Sequence, residues 1–396
     1  MALTQAEVTE LASHPQLLAL ADELELSKNS MISDLAWLQQ QCGALGRAVA
    51  EVAQARRSAA AKLPAEWIFS AEAGQQATPL LVALQRAQRL RDHGVTTVAD
   101  VTCSIGTEVA ALNRVGIAAV GADIDRARLA MAAHNVPNGS FVLADATAPA
   151  LSAPVVVADP ARRAQGRRLS NPSQLLPPLP DLIAAWRGSE LAIKSAPGLD
   201  FSDWEGEVEL TSVSGSVKEA CLYTPGLVAT RQGRQVRRSA VLIDNVDKRR
   251  PLDLAAARVR RYDDTMDDDC GVAEVGRYIV DPDGAVVRAG LVRHFAAAHR
   301  LWQLDERIAH LSGDDLAPGL SGFPVIETVA LKKVRARLAA LDCGAVEILV
   351  RGVDVNPDVL RKQWRLRGSR ALAVVVTRIG KSAVAVVCGP REWAPS

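Results

Sequence analysis

The chain has 396 residues, of which 48% are hydrophobic and 23% charged, and its formal net charge is +1. That length holds two or three domains with at least one sizeable core, and the even charge excludes a uniformly basic coat for nucleic acid while leaving local basic patches open. Apolar stretches too short for a membrane span, an N-terminus unlike a signal peptide, and six scattered cysteines without C-x-x-C lead us to expect a reduced, cytoplasmic setting, with no membrane, disulfide framework or metal site.

Residues 1–64 read as a helical region. Leu17, Leu18, Leu20 and Leu24, then Ile32, Leu35 and Leu38, recur at helical spacing, and an alanine-rich run from Ala48 to Ala61 precedes Pro64. Arg56, Arg57 and Lys62 have two readings: parts of a helical cap, or contacts to a phosphate backbone. Thr78-Pro79 reads as a helix start, with Thr78 as N-cap and Pro79 in the first turn. An amphipathic helix then runs to about Arg91 and stops at His93-Gly94.

From Thr97 the pattern changes to apolar runs that end in acidic or small residues. Thr97 to Val101 is the first expected strand, followed by DVTCSIG and a helix from about Thr107. Cys103, Ser104 and Gly106 are small enough for a backbone to approach a ligand, and the helix N-terminus points the same way. Ala118 to Ala122 ends at Asp123, Phe141 to Ala144 at Asp145, and Val155 to Ala158 at Asp159-Pro160. This is the grammar of an open parallel sheet whose ligand sits at the carboxyl ends of its strands. Asp123, 23 residues after Asp100, stands where a ribose-binding acid is expected, and Asp145 is placed to meet an adenine amino group. A dinucleotide site would carry G-x-G-x-x-G, but the run here is C-S-I-G-T-E with one glycine, and no G-K-[ST] stands in that position for a P-loop. The pocket therefore reads as one for S-adenosylmethionine (SAM).

A basic loop with Arg162, Arg163, Arg167 and Arg168 comes next, then a helix from Asp181 to Trp186 and a strand from Leu191 to Lys194. EVELTSVSGSVKEACLY reads as two strands around a Ser-Gly turn, and Ala240 to Ile243 as the last strand of a domain spanning 65–245. Residues 246–318 form a connecting α/β module that begins with an acidic loop, and residues 319–396 a separate α/β module. The latter holds 13 Lys/Arg against 6 Asp/Glu. Its Arg351, Arg361, Lys362, Arg365 and Arg367 lie in or near one helix, which is either a solvated face or a phosphate-contacting surface.

QQATP, DVTCSIGTEVA, GADID, LADAT, DPARR, SAPGLD and RGVDVNPDVLRKQWRLRG together resemble the class I SAM-dependent methyltransferases. More closely, the chain is similar to a bacterial subgroup with a C-terminal THUMP-like domain. The resemblance implies a Rossmann-like α/β sheet, a helical N-terminal region and a small α/β THUMP-like domain. It implies that Thr78, Asp100, Thr102, Cys103, Ser104, Gly106, Asp123, Ile124, Asp145 and Ala146 surround the cofactor. Asp159, Pro160 and Arg162 fall where amino-methyltransferases carry D-P-P-[YFW], a loop that accepts hydrogen bonds from an acceptor amine and aims its lone pair at the methyl. Here Ala161 replaces the second proline and Arg162 the aromatic; a guanidinium plane can stack on a base or pair with phosphate. THUMP domains accompany RNA-modifying enzymes, so the resemblance implies ribosomal or transfer RNA as partner, contacted by Arg163, Arg167, Arg168, Arg351, Arg361, Lys362, Arg365 and Arg367. Two other readings stand beside it: methylation of a small molecule or protein, and a non-catalytic RNA-binding protein that keeps the fold. Pyrimidine C5 chemistry needs a cysteine nucleophile at the fourth or fifth strand end, where DPARR and IKSAPG have none.

Overall fold

The chain enters its first helix through a capping box. Thr4 accepts from the Glu7 backbone N–H and the Glu7 carboxylate accepts from the Thr4 N–H, which starts α1 (Gln5–Ser13). The computed structural model describes residues 3–160, 175–244, 246–247 and 249–394, with the backbone alone of 163–164 and 167–168. After α1 come α2 (Gln16–Ala19), α3 (Met31–Cys42) and α4 (Gly46–Ala59). Between Leu20 and Ser30 the expected helix is replaced by turns, and Leu24 lies there. The reason is Arg57, whose guanidinium donates to the carbonyls of Ala21, Leu24 and Glu25, each at 2.7 Å, and so satisfies them without a helix. Arg56 holds the carbonyls of Glu66 and Trp67 at 2.8 Å, and Lys62 those of Gly74 and Gln75 at 2.8 and 2.9 Å. These three cations stitch the chain to itself, which corrects the phosphate reading of them.

Helix α5 (Ala71–Gln76) leads to α6 (Leu80–Asp92). Thr78 is not its N-cap: Pro79 occupies that position without a side-chain bond, and the Leu80 N–H donates instead to the Lys62 carbonyl at 3.0 Å. The helix ends at His93, followed by Gly94 at φ +84°.

The α/β core follows as β1 (Thr97–Asp100), α7 (Thr107–Arg114), β2 (Ala118–Asp123), α8 (Arg126–Asn135), β3 (Ser140–Leu143) and β4 (Val155–Ala158). A short antiparallel pair, β5 (Arg163–Ala164) and β6 (Arg167–Arg168), precedes α9 (Leu179–Ala185), β7 (Glu190–Ser195), β8 (Glu207–Val213) and β9 (Ser216–Tyr223). β1 pairs in parallel with β2 and β4, β2 with β3, and β4 with β7. β9 runs antiparallel to both β7 and β8, which gives the order β3-β2-β1-β4-β7-β9-β8. The β8–β9 turn is Ser214-Gly215, both at positive φ, as a two-residue hairpin with right-handed twist requires. The hairpin β10 (Thr230–Arg231) and β11 (Arg234–Gln235) follows, and β12 (Arg238–Asp244) and β13 (Arg258–Asp263) complete the sheet path beyond β8. The N-terminal helices are not an appendage. Leu11, Leu38, Val52 and Phe69 share one buried cluster with Val98, Val109 and Leu112.

The chain divides into two compact units, Met1–Arg237 with Val241–Arg260, and Arg238–Ala240 with Arg261–Ser396. In the second, β14 (Tyr278–Val280), α10 (Gly284–Arg288), α11 (Val292–His299), β15 (Trp302–Gln303) and β16 (Leu311–Gly313) come first. Then follow β17 (Ser321–Ala330), α12 (Val334–Ala340), β18 (Cys343–Arg351), α13 (Pro357–Trp364), β19 (Arg370–Ile379), β20 (Ser382–Cys388) and β21 (Glu392–Trp393). β14 pairs with β17, so residues on both sides of position 319 share one mostly β sheet. The run ALAVVVT is apolar throughout because β19 is buried on both faces: Leu372, Val374 and Val376 pack with Leu338 and Trp364, and Ala373 and Val375 with Phe323. Among the described residues no helix is long and apolar enough to cross a membrane.

Candidate functional site

The parallel register of β3, β2, β1 and β4 brings four carboxylates to one edge of the sheet, at or just past each strand end. Asp123 anchors the loop after β1. Its Oδ2 accepts from the Ser104 N–H and its Oδ1 from the Asp125 N–H, both at 2.9 Å. Each oxygen keeps a second lone pair, so two ribose hydroxyls fit without displacing either bond. The loop bends through Ser104 (φ +48°) and Gly106 (φ +88°), and a Cβ on Gly106 would lie 3.1 Å from Val136 Cγ2. Glycine is therefore required there by conformation and by the close pass of α8. Asn135, buried at the end of α8, holds the loop from behind by donating to the Ile105 and Ile68 carbonyls at 3.1 Å. Arg128 reaches the loop from the other side, 3.3 Å from Ser104 Oγ and 3.0 Å from Gln76 Oε1.

The adenine end has matching vacancies of hydrogen bonding. Ile124 is 72% exposed directly after Asp123, an apolar surface that a ring face would cover. Asp145 Oδ1 accepts from the Thr147 N–H and hydroxyl, which holds its carboxyl below the usual range, while Oδ2 carries no bond among the described residues. The Ala146 N–H is likewise without a partner among them, and its carbonyl is fixed by Trp186 Nε1 at 2.8 Å. One free acceptor beside one free donor suits the amino group and adjacent ring nitrogen of adenine. Asp123, Ile124, Asp145, Ala146 and the Ser104–Gly106 loop thus fit an adenosyl group. Cys103 departs from expectation: its thiol is turned into the core, and burial raises it well above the ordinary value, so only its backbone faces the loop.

Asp100 is 2% exposed, and its Oδ1 accepts from the Thr102 N–H at 3.3 Å. Burial is the largest influence on it and pushes its carboxyl up to about 8; nearby Lys194 pulls the other way and does not win. Thr102 Oγ1 accepts from the Asp159 N–H at 2.6 Å, which ties the loop after β1 to the loop after β4. Asp159 Oδ2 lies 3.0 Å from Lys194 Nζ, and its Oδ1 has no bond among the described residues. Pro160 is buried beside it.

Behind Asp159 runs a buried ion network that the sequence does not announce. Lys194 on β7 also meets Glu108 Oε1 at 3.4 Å; Glu108 on α7 meets Arg86 on α6 at 2.9 Å; Arg86 pairs in turn with Glu219 on β9. Burial disfavours the charges of Arg86, Glu108 and Lys194, yet their partners outweigh it. Glu108 is held at about 2 by Arg86 and Lys194, and Lys194 is held above the lysine range by Asp159 and Glu108. Thr78 belongs here and not in a ligand pocket: it is buried, and its hydroxyl donates to Glu219 at 3.3 Å.

The basic residues divide. Arg162 lies outside the described residues, and only the backbone of Arg163, Arg167 and Arg168 is described. Arg351 is engaged with Asp281 at 2.8 Å, and Arg361 with Asp358 one turn away, so the structure corrects both as free phosphate contacts. Lys362 and Arg365 remain exposed; with Arg335, Val359 and Gln363 they line an open depression between α12 and α13. Arg367 is exposed in the loop after α13.

Comparison with known proteins agrees with this geometry. Residues 320–390 match the family described as THUMP domain-like. The chain is 47% identical over 358 residues to two uncharacterized S-adenosylmethionine-dependent methyltransferases of Mycobacterium tuberculosis, from strains CDC 1551 / Oshkosh and ATCC 25618 / H37Rv. Each alignment covers 85% of this chain and 94% of the relative. Over 98% of its length the fold also matches a crystal structure from Porphyromonas gingivalis W83 assigned as a methyltransferase, with 99% of that chain covered, a TM-score of 0.67 and 14% identity.

Proposed function

Since the chain belongs to the SAM-dependent methyltransferases, we propose that it methylates a base nitrogen in ribosomal or transfer RNA. The observation that carries this reading is Asp159: a carboxylate past the end of β4, with one oxygen engaged by Lys194 and the other without a partner among the described residues. SAM bound at the β1–β3 edge supplies a methyl on a sulfonium sulfur, which departs with its electron pair as the acceptor nitrogen's lone pair forms the new C–N bond. Asp159 Oδ1 accepts the N–H of the incoming amine and then its proton, and the Pro160 carbonyl is a second acceptor that turns the lone pair toward the methyl. Asp123 holds the ribose, Asp145 and Ala146 the adenine, and Asp100, Thr102, Ser104 and Gly106 the methionine part.

The RNA portion of the reading is supported by the THUMP domain-like match and by the cations Arg335, Lys362, Arg365 and Arg367, exposed in that same matched region. Six free cysteines accord with a cytoplasmic setting. Cysteine-dependent carbon methylation is disfavoured by chemistry: burial raises the Cys221 thiol to about 12, which leaves no thiolate at neutral pH. The test is mass spectrometry of nucleosides in ribosomal and transfer RNA from cells with and without the gene. One N-methylated base should disappear on deletion; unchanged RNA together with a lost methyl on a protein or metabolite overturns the RNA assignment.

A further inference from the structure

We propose that Lys194 is a positioning residue for methyl transfer, the group that takes Oδ2 of Asp159 and leaves Oδ1 as the carboxylate oxygen without a partner among the described residues, available to the substrate amine. The inference rests on the reading of Asp159 as the amine-binding carboxylate, and it names the residue that makes that carboxylate usable.

The geometry has three parts. First, β7 lies parallel beside β4, with Ala158 opposite Ile193, so the next residues along, Asp159 and Lys194, emerge side by side at the strand ends. Second, Lys194 is only 8% exposed and cannot swing away, because Glu108 and Asp159 hold its ammonium at 3.4 and 3.0 Å. Glu108 is itself pinned by Arg86, which Glu219 holds in turn, so the rigidity of α6, α7 and β9 is passed to one ammonium. Third, the Asp159 N–H is fixed by Thr102 Oγ1, so backbone and side chain are both constrained before any acceptor arrives.

The chemistry explains why a lysine is needed. Asp159 stands among acids: both it and Glu108 add to the pressure that keeps Asp100 protonated. Lys194, 3.0 Å from Asp159, sets one cation against these carboxylates. A carboxylate with two free oxygens can also present either one to the amine. With Oδ2 engaged, the carboxylate takes the amine at one oxygen, and that bond together with the one to the Pro160 carbonyl sets the direction of the nitrogen lone pair.

The experiment compares Lys194→Arg, Lys194→Met and the double variant Lys194→Met/Glu108→Gln, in which the removed positive charge is balanced so that the core is not left with an unpaired carboxylate. Binding of SAM is read by calorimetry and transfer by labelled SAM on RNA from cells lacking the gene. The double variant should bind SAM within about threefold of the parent and lose about 100-fold in kcat, with Lys194→Arg recovering most of that loss. SAM affinity that falls in step with transfer, or a Lys194→Arg variant no faster than Lys194→Met, overturns the proposal. A readout without any acceptor guards against failure of the RNA reading. In NMR of the lysine side chains, Asp159→Asn should bring the Lys194 titration down toward the ordinary range, since Asp159 is the leading partner that holds it up. If it does not move, the pairing has no energetic content and the proposal falls whatever the substrate is.

Discussion

At the cofactor end of the site, Asp123 takes its bonds from two backbone N–H groups nearby in the fold. At the acceptor end, Asp159 depends on a lysine from a neighbouring strand and, through it, on charges from two helices and a further strand. The first arrangement is local and half-exposed; its parts are a short loop, a glycine and an Asx turn. The second is long-range and buried, and losing one member leaves a partner charged in the interior, which is strongly destabilising. On the roles proposed above, the difference teaches where specificity would reside: an adenosyl pocket can be built from a strand-turn-helix phrase, while orienting an acceptor amine would draw on the packing of the whole domain.

Substitutions that separate the two ends test this division. The largest effect is expected for Asp159→Asn, which should lower methyl transfer roughly 100- to 10,000-fold and leave SAM affinity within about threefold, read by labelled transfer and calorimetry. Asp123→Ala should do the reverse at the binding step, weakening SAM roughly 100-fold through lost charge-assisted hydrogen bonds. Gly106→Val should cost about 1–2 kcal/mol in chemical denaturation from the left-handed φ alone, more where Val136 is crowded, and weaken SAM with it. Asp100 gives a pH signature confined to the cofactor end. Its folded-state carboxyl titrates at about 8 instead of near 3.8, so between those values the native state holds a proton that the unfolded chain has lost. Stability from this group is therefore present at low pH and is lost as pH rises from about 4 to about 8. With the methionine ammonium favouring the ionised form, SAM binding should release a proton at pH 7 and tighten about fivefold between pH 7 and 8, and Asp100→Asn should flatten that dependence. The smallest effect is expected far from the chemistry: Lys362→Ala/Arg365→Ala should lower the salt slope of RNA binding by about 1.5 to 2 with SAM affinity unchanged.

The strand ends proposed to hold the cofactor were legible as fold because local rules write them. An apolar run ending in Asp, a small-residue loop and a helix start are adjacent in the chain, and β1 to β4 came out close to their expected limits. The acceptor end was legible only as Asp159-Pro160. Its supports, Arg86, Glu108, Lys194 and Glu219, stand 22, 86 and 133 residues apart in their pairings, and no periodicity connects them. Arg86 was hidden in a second way: on α6 it falls among Gln85, Gln88 and Arg89, which read as the wet face of an amphipathic helix, yet Gln85 is buried and Arg86 is buried against carboxylates of α7 and β9. The same blindness applies to Arg56, Arg57 and Lys62, whose partners are backbone carbonyls that a residue pattern cannot display. Charge in a sequence is read as surface by default, and this molecule places several of its charges inside.

The most direct test is transfer from methyl-labelled SAM to RNA, protein and small-molecule fractions of cells lacking the gene, run with the parent chain and with Asp159→Asn. The account predicts label in the RNA fraction, recovered as an N-methylated nucleoside and lost with Asp159→Asn while SAM binding persists. Label confined to the other fractions, or RNA labelling that survives Asp159→Asn, would contradict it.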